Sequence, residues 1–422
     1  MNSKLNVNEI NKDPNWLFSP FPEDSVQVDV TQRDQFGDDK GIYEVLVREA
    51  TQNSTDQLSD VAKIAGDPVH IEFKIKKCTE KLASEWKKLM LPLKKHCLAN
   101  NMDVSCLDSN SLNVLVIEDF NTSGLTGSSN TLDDGNFEGF WRKHGGSNKR
   151  SGKGGSHGLG KLVLSAASKV GAIYGYTIAQ DKEGGYLMGQ AVLNTHKLAD
   201  NTRVFPAHGF WTSSELGKRQ EASQNPNLIK KISELAGFRR TSETGLSIAI
   251  PYLSGNVTAE KIIEALLTNN YFQFINGSLT VDVDGERINK DNFFEHVKKN
   301  TGLKASDKQR LSFVKKLIPV IEGDPDIKIG ANIEDNRINE QYFTPNQLET
   351  LKDKLKNNEI IKVQLPVSIT TTTNMATLEK GRKVSSHVDI YLSEKPSDAS
   401  PWALFVRDNL LVSDETRDSF KV

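Results

Sequence analysis

The chain has 422 residues, of which 37% are hydrophobic and 26% charged, and its 53 basic and 55 acidic residues give a net charge of −2. This length suits two or three domains, and the near-neutral balance carries no global signal for a nucleic-acid partner. No apolar run is long enough to span a membrane, the N-terminus has no signal-peptide core, and three cysteines without C-x-x-C spacing indicate a reducing, cytoplasmic setting.

In chain order, the first predicted element is a polar N-terminal strap over residues 1–40, anchored by the apolar stretch WLFSPF. An amphipathic helix is predicted over 41–58. A strand of alternating hydrophobicity is predicted over 69–77, and a long, Lys-rich helix over 79–100. SLNVLVIEDF, residues 111–120, is typical of a buried strand that ends in an acidic residue.

Residues 121–157 are rich in Gly and Ser and poor in hydrophobic residues. Loops of this length are often functional lids, so we expect a lid here, followed by a helix over 158–170. GAIYGYTIA and YLMGQAVL are then predicted to be paired strands joined by the turn QDKEGG. GLSIAIPYL, residues 245–253, is predicted to be another strand.

A helix over IIEALLTNNYFQF leads into SLTVDVDGERI, which has a hairpin-like turn at Asp284-Gly285. From about residue 271 we expect a second unit, 271–422, with strands at IIKVQLPVSIT, HVDIYLS and WALFVRDNLLV. Helices and strands mix without a regular βαβ alternation, which favours an α+β fold over a doubly wound sheet.

The stretch GKGGSHGLGKL, residues 152–162, has the G-x-x-x-x-G-K spacing of a phosphate-binding P-loop. A P-loop needs Ser or Thr after the Lys to bind magnesium, but Leu162 follows Lys161. The preceding residues, WRKHGGSNKRSGKGG, are unsuited to the core strand that a P-loop follows. The stretch therefore predicts a glycine-rich loop at a helix N-terminus, where free N–H groups favour anions. An ordinary flexible surface loop is the alternative.

The first helix carries a polar face, because Glu49, Asn53 and Asp56 are spaced i, i+4, i+7. Glu can accept a proton from an attacking water, and an Asn oxygen is a hard ligand suited to magnesium beside phosphate oxygens. A solvated polar face is the alternative interpretation. Asp119, at the end of its strand, can accept a hydrogen bond from an exocyclic amine such as that of adenine. It could equally be an ordinary turn-initiating Asp.

A helix with E-x-x-x-N, a strand ending in Asp and a glycine loop before a helix occur here in an order that resembles the GHKL ATPase superfamily. That superfamily includes gyrase, the ninety-kilodalton heat-shock chaperones, histidine kinases and MutL. EATQNSTD (49–56) resembles its N box, VIEDFNTSGLTG the box whose Asp reads adenine, and GSHGLG (155–160) the glycine box at the lid. TSETGLSIAIPYL resembles the last box, in which a Thr beside a Gly contacts the adenine site through water. The resemblance covers roughly residues 40–255.

The resemblance implies an α+β fold: a Bergerat-type α/β sandwich ATPase domain over 41–270, with a mixed sheet covered by helices and a lid at 121–157. A transducer-like α+β domain over 271–422 would follow. The sequence departs from the family at two boxes. FNTSG follows Asp119 in place of the regular D-x-G-x-G, so either Gly124 or Gly127 is the glycine near the nucleotide. The last box has Thr244-Gly245 rather than Gly-Thr, with Ser247 as a substitute for Thr244.

The resemblance also implies ATP and magnesium as ligands, with Glu49 as the catalytic base, Asn53 as the metal ligand and Asp119 as the adenine reader. Glu49 stands where histidine kinases usually carry Asn, which favours water over a protein as the phosphate acceptor. The full set implied to bind nucleotide comprises Asn53, Asp119, Gly124, Gly155, His157, Gly158, Leu159, Gly160, Lys161 and Thr244.

Closing of the lid over ATP is implied to drive dimerisation, so that slow hydrolysis operates a clamp. The lid cations Arg142, Lys143, His144, Lys149, Arg150 and Lys153 would order over the nucleotide. Lys380, Arg382 and Lys383 are candidates for the transducer residue that reaches the γ-phosphate, with a solvated basic turn as the alternative.

What the clamp acts on stays open. Partner proteins or DNA, including a role in phage defence, rest on association alone, and no membrane partner is expected. A nucleotide-binding scaffold without strong catalysis is the competing class, and a P-loop is a third.

Overall fold

The computed structural model describes residues 13–22, 41–131, 135–143, 160–199, 203–321, 323–330, 340–370, 383–394, 402–407 and 410–416. These residues form two compact units. The first contains the described residues up to Gly302, and the second begins at Leu303. Among the described residues, none of the helices combines the length and the apolar character needed to traverse a bilayer.

The first unit is built around a nine-stranded sheet. Its strands, together with a short separate β6–β7 pair, are β1 (Asn15–Leu17), β2 (Val69–Thr79), β3 (Ser111–Phe120), β4 (Ala172–Ile178), β5 (Gly185–Val192), β6 (His196–Lys197), β7 (Val204–Phe205), β8 (His208–Thr212), β9 (Gly245–Pro251), β10 (Leu279–Val283) and β11 (Glu286–Ile288). The helices of this unit are α1 (Ile42–Thr55), α2 (Asp60–Ala65), α3 (Glu80–Met90), α4 (Lys94–Ala99), α5 (Asn136–Trp141), α6 (Gly160–Ala166), α7 (Pro226–Ala236), α8 (Ala259–Asn269), α9 (Tyr271–Ile275) and α10 (Phe293–Lys299).

The strand order is β1-β8-β5-β4-β9-β3-β2-β10-β11. Every neighbouring pair is antiparallel except β10 and β2, which run parallel. The sheet is therefore mixed, and with its helices it gives the α+β architecture expected from the sequence, compatible with an α/β sandwich.

Strand β3 lies near the middle of the sheet, and successive side chains point to opposite faces. Val114 and Val116 join the core beneath α3 and α7, where Trp86 and Ile232 are buried. The residues of the other parity, including Asp119, face α1. Because both faces are covered, β3 has the nearly continuous apolar run that marked it as buried.

Helix boundaries follow from local chemistry. Asn225 caps α7 by accepting hydrogen bonds from the amides of Asn227 and Leu228, Pro226 occupies its first turn, and Gly237 ends it in the left-handed conformation. The long helix expected over 79–100 is instead two helices, α3 and α4. They are separated by a 3₁₀ turn at Leu91–Leu93 that contains Pro92, whose ring removes a backbone donor.

Two features of the first unit bear on the expected segmentation of the chain. Strand β10 pairs with β2, so the large sheet includes residues beyond 270, and the first unit extends to Gly302. The described part of the expected lid also contains α5, in which Phe137 and Trp141 are fully buried. These two aromatic side chains anchor the segment, so the scarcity of hydrophobic residues across 121–157 is a poor guide to this part of it.

The second unit contains α11 (Ala305–Ile321), α12 (Pro345–Lys356) and the strands β12 (Ile327–Lys328), β13 (Ile361–Thr370), β14 (Lys383–Leu392), β15 (Trp402–Arg407) and β16 (Leu410–Thr416). β12, β13 and β14 form one sheet, and β15 pairs with β16 as a hairpin. WALFVRDNLLV, predicted as a single strand, therefore spans two. A capping box between Thr344 and Gln347 starts α12, which packs on β13.

Candidate functional site

The candidate site begins where α1 meets the end of β3. Ser54, in the last turn of α1, donates a hydrogen bond from Oγ to Asp119 Oδ2 at 2.9 Å. Both residues are buried. This contact sets the C-terminal half of α1 beside the strand end, and it brings together two of the three elements that the sequence singled out.

The Asp119 carboxylate accepts two further hydrogen bonds, both on Oδ1. Thr122 Oγ1 donates at 2.7 Å and the Leu246 amide at 2.7 Å. The guanidinium of Arg240 lies 3.8 Å from the same oxygen. A carboxylate has about four lone-pair positions for accepting hydrogen bonds, so the position left open is on Oδ2.

Hydrogen bonds to neighbouring segments hold the irregular loop that follows Asp119. Asn121 adopts a left-handed conformation with φ of 63°, which Asn tolerates better than most residues, and its side chain donates to Pro68 O at 2.8 Å. The Ser123 amide donates to Gln57 O at 2.8 Å. Gln57 Oε1 also accepts from Asn136 at 2.7 Å, which ties this loop to α5.

Gly124 and Gly127 each have a structural reason to be glycine. Gly124 is buried with φ of 66°, and a Cβ there would overlap the carbonyl of Ile178 and lie 3.0 Å from Ala179 Cα. Gly127 has φ of 89°, and its amide donates to Asp181 at 2.8 Å. Gly124 is thus the glycine that lets the loop pack against the end of β4.

Glu49 and Asn53 lie one turn apart on α1, as their spacing predicts. The Glu49 side chain is 15% exposed, and its Oε1 lies 3.9 Å from Arg48 Nη2. Asn53 is partly buried, and within the described part of the chain its side chain makes no hydrogen bond. An amide oxygen in this state suits a hard cation.

Thr244 and Gly245 lie beside Asp119 at the start of β9. Thr244 Oγ1 donates to Thr122 O at 2.6 Å, so the hydroxyl closes the loop that follows Asp119. Gly245 has φ of 140°, and a Cβ there would lie 2.7 Å from Asp119 Oδ1. Ser247, expected as a substitute for Thr244, does not serve in that role. Its hydroxyl bonds instead to Glu118 at 2.7 Å and Arg240 at 2.9 Å.

The third predicted element, the glycine loop, leads into α6. Gly155, His157, Gly158 and Leu159 lie outside the described residues. Gly160 and Lys161 are the first residues of α6, and this helix packs against α1. The helix after the loop therefore lies on the same face of the sheet as Glu49 and Asn53.

Arg142, expected as a lid cation, is held in an ion network. Glu138, 2% exposed, contacts Arg142 Nη1 at 3.2 Å and Arg219 Nη2 at 2.5 Å. Burial lowers the pKa of Arg142, and the neighbouring Arg219 lowers it further. Arg142 thus anchors α5. His144, Lys149, Arg150 and Lys153 lie outside the described residues, as do Lys380 and Arg382, and of Lys383 the structure describes only the backbone.

His70, Glu72 and Asp282 form a cluster with metal-ligand chemistry at the other face of the sheet. His70 Nε2 lies 2.8 Å from Asp282 Oδ2 and 3.6 Å from Glu72 Oε1. Arg287 binds Asp282 through two nitrogens, at 2.7 and 2.8 Å, and Arg239 lies 2.8 Å from Glu72. The hydrogen bonds from Arg287 and His70 lower the pKa of Asp282, while burial raises the pKa of Glu72. Because two arginines already balance the two carboxylates, the cluster is an ion-pair network.

Sequence reasoning did not identify Ser54, Thr122, Glu118 or Arg240 at this site. Thr122 had a weak signal, since Asp and Thr near a turn commonly make local side-chain hydrogen bonds. Ser54 had only its position next to Asn53. Arg240 had none, because a buried arginine cannot be distinguished in sequence from the exposed arginine beside it.

Comparison with known proteins adds no relative, since no protein-family model matches the sequence and none of the curated proteins matches it.

Proposed function

We propose that the chain binds magnesium-ATP in a Bergerat-type domain and hydrolyses it to ADP and phosphate. The observation that carries the proposal is the hydrogen bond from Ser54 to Asp119, because it sets the polar face of α1 beside the strand end that we assign to the base. α6, which follows the glycine loop, packs against the same helix. Two of the motifs, on α1 and β3, and the helix that follows the third therefore lie close together.

Asp119 is the residue we assign to adenine. Its Oδ1 already accepts two hydrogen bonds and its Oδ2 one. The remaining acceptor position on Oδ2 suits a single N–H of the exocyclic amine of the base. Thr244 closes the neighbouring loop, and Gly124 lets that loop approach the sheet.

The phosphates are assigned to the glycine loop, where backbone N–H groups at a helix N-terminus favour anions. The residues proposed there are Gly155, His157, Gly158, Leu159, Gly160 and Lys161. Asn53 would hold magnesium through its amide oxygen, and the metal, when bound, neutralises charge on the phosphates.

Glu49 is the proposed general base. It takes a proton from a water whose oxygen attacks the γ-phosphorus, and the bond from that phosphorus to the bridging oxygen breaks as ADP leaves. By the resemblance, nucleotide-dependent closure of the lid and dimerisation make ATP the driver of a clamp, with the second unit as transducer. A DNA-related or phage-defence system is the proposed setting, by association alone.

A nucleotide-binding scaffold is a second candidate, favoured by one observation. Asp119 has three internal hydrogen-bond donors, which explain a carboxylate at this position without any base. In that case the cluster fixes the strand end and Glu49 has no catalytic role.

The test is ATP binding by calorimetry and phosphate release for the full chain, with Glu49→Ala and Asp119→Asn. Glu49→Ala should bind ATP but lose about 10²- to 10⁴-fold in turnover. Asp119→Asn should weaken binding about tenfold to a hundredfold, the value of a hydrogen bond to a charged group. Asp282→Asn, in the same sheet but at the ion-pair network, is the control and should bind normally.

The clamp hypothesis is tested by measuring the molecular mass of the protein in solution with a non-hydrolysable ATP analogue. A dimer is expected. Binding without turnover in the wild type would select the scaffold. No binding by the wild type would refute the nucleotide site altogether.

A further inference from the structure

Arg240, beside the candidate site, is a side chain with many hydrogen bonds. Its guanidinium is fully buried, and it lies between α7 and β9. Nε donates to Ser247 Oγ at 2.9 Å, Nη1 to the carbonyls of Glu243 at 3.0 Å and Thr244 at 2.8 Å, and Nη2 to the carbonyls of Asp119 and, at 3.1 Å, Leu246. An arginine has five N–H donors, and here each can be matched to an acceptor.

Glu118 completes this group from the next position along β3. Its buried carboxylate accepts from the amides of Arg239 at 2.8 Å and Arg240 at 3.2 Å, and from Ser247 Oγ at 2.7 Å. We call Glu118, Arg240 and Ser247 the Arg240 cluster. The side chains of Glu118 and Asp119 point to opposite faces of the sheet, since the two residues are consecutive in a strand, and the guanidinium of Arg240 lies between them, 3.8 Å from Asp119 Oδ1.

The contacts of Arg240 determine where the Leu246 amide lies. The guanidinium holds the carbonyls on both sides of Gly245, those of Thr244 and Leu246, and also the carbonyl of Asp119. The Leu246 amide, in turn, donates to Asp119 Oδ1 at 2.7 Å. Gly245 permits this approach because it has no Cβ to meet Asp119. A rigid chain of contacts therefore runs from Arg240 through Leu246 to the Asp119 carboxylate.

We propose that Arg240 is a positioning residue for base recognition, holding the Leu246 amide and the Asp119 backbone so that Asp119 Oδ2 faces the nucleotide base. This inference rests on the ATP-binding function proposed above. Arg240 reaches Asp119 through its backbone carbonyl and the Leu246 strand, and its guanidinium lies 3.8 Å from Asp119 Oδ1; we assign it no contact with the nucleotide. Its loss should therefore affect recognition of the base and spare that of the phosphates.

The experiment measures the affinity of the full chain for magnesium-ATP and for magnesium tripolyphosphate, which has phosphates but no base. The variants are Arg240→Lys, which keeps the charge with fewer donors, and Arg240→Met. Lys362→Met is the matched control, because the Lys362 side chain is a buried cation that caps a helix end in the second unit. Amide hydrogen exchange at Leu246 is followed in each.

For Arg240→Lys we expect an affinity for ATP about tenfold to a hundredfold lower and an unchanged affinity for tripolyphosphate. Exchange of the Leu246 amide should be faster, and Lys362→Met should change none of these. In the double variant, Arg240→Lys should not lower the affinity for ATP below that of Asp119→Asn alone, because both changes act through one carboxylate.

Equal losses for ATP and tripolyphosphate, additive losses in the double variant, or normal ATP binding by Arg240→Lys would each overturn the positioning role while leaving the ATPase proposal intact. A wild-type chain that binds tripolyphosphate but not ATP overturns the base site and the positioning role together. A wild-type chain that binds neither overturns the proposed function itself.

Discussion

The Arg240 cluster and a pair of histidines, His96 and His196, are both buried in the first unit, and they satisfy their polar atoms in opposite ways. The Arg240 cluster places a guanidinium and a carboxyl group together and surrounds them with hydrogen-bond donors and acceptors. The histidine pair is uncharged. His196 Nδ1 lies 2.8 Å from Asn194 O, so it carries the proton, and His196 Nε2 accepts from His96 Nδ1 at 2.7 Å.

The surroundings of the histidine pair explain its neutrality. Phe18 stacks on His96 with ring centroids 4.2 Å apart, and Phe205 stacks on His196. Burial, together with the smaller effects of His196 and Lys95, lowers the pKa of His96 to about 4. Burial also lowers the pKa of His196. A cluster with internal counter-charges can be ionised inside a protein, whereas one enclosed by aromatic rings stays neutral.

Removing the carboxylate of the Arg240 cluster should have the largest effect on stability. Glu118→Ala leaves two buried donors and one partly buried donor without an acceptor, and Arg240 without one counter-charge, so we expect a loss of about 3–5 kcal/mol in the free energy of unfolding. Denaturant unfolding followed by hydrogen exchange in β3 and β9 measures it. A loss below that of an ordinary surface substitution would show that the cluster contributes no net stability.

Acid should lower the free energy of unfolding through the histidine pair. The folded pKa of His96, about 4, lies below its ordinary value of 6.5, so the unfolded chain binds the proton more readily. Stability should therefore fall as pH drops from 6.5 to 4 and level off below. The total loss is about 3 kcal/mol for His96, since each pKa unit is worth about 1.4 kcal/mol.

Unfolding measured across this pH range tests the effect of acid, with His96→Gln expected to flatten the dependence. His387→Gln is the control, because that side chain is 59% exposed, and it should leave the dependence intact. An acid response that persists in His96→Gln would assign the titration to other groups.

The smallest effect is expected at the ion-pair network of His70, Glu72 and Asp282. Arg287 is 57% exposed although it binds Asp282 through two nitrogens. Arg287→Ala should cost at most about 1 kcal/mol, because solvent and salt screen exposed ion pairs. Unfolding at low and high salt measures it, and the difference from wild type should shrink as salt rises. A loss as large as that of Glu118→Ala would mean that burial does not explain the contrast between the clusters.

Much of the local structure could be predicted from the sequence. The amphipathic spacing of α1, the continuous apolar run of β3 and the paired strands β4 and β5 all lie where their patterns placed them. The Lys-rich pattern predicts one long helix over α3 and α4, whereas Pro92 in the turn between them divides it into two. α5 was missed because two buried aromatics are too few to stand out in a Gly/Ser-rich segment.

At the candidate site, sequence by itself determined which chemistry is available and in what order: Glu49 and Asn53 on one helical face, Asp119 at a strand end, and a glycine loop before a helix. Short-range periodicity carries that information, because it is set by neighbours within a few residues. Only the tertiary structure decided that Ser54 meets Asp119 and that Arg240 holds the strand beside it. The first contact joins residues separated by 65 positions in the sequence and the second joins residues separated by 121. Both depend on which strands become neighbours in the sheet.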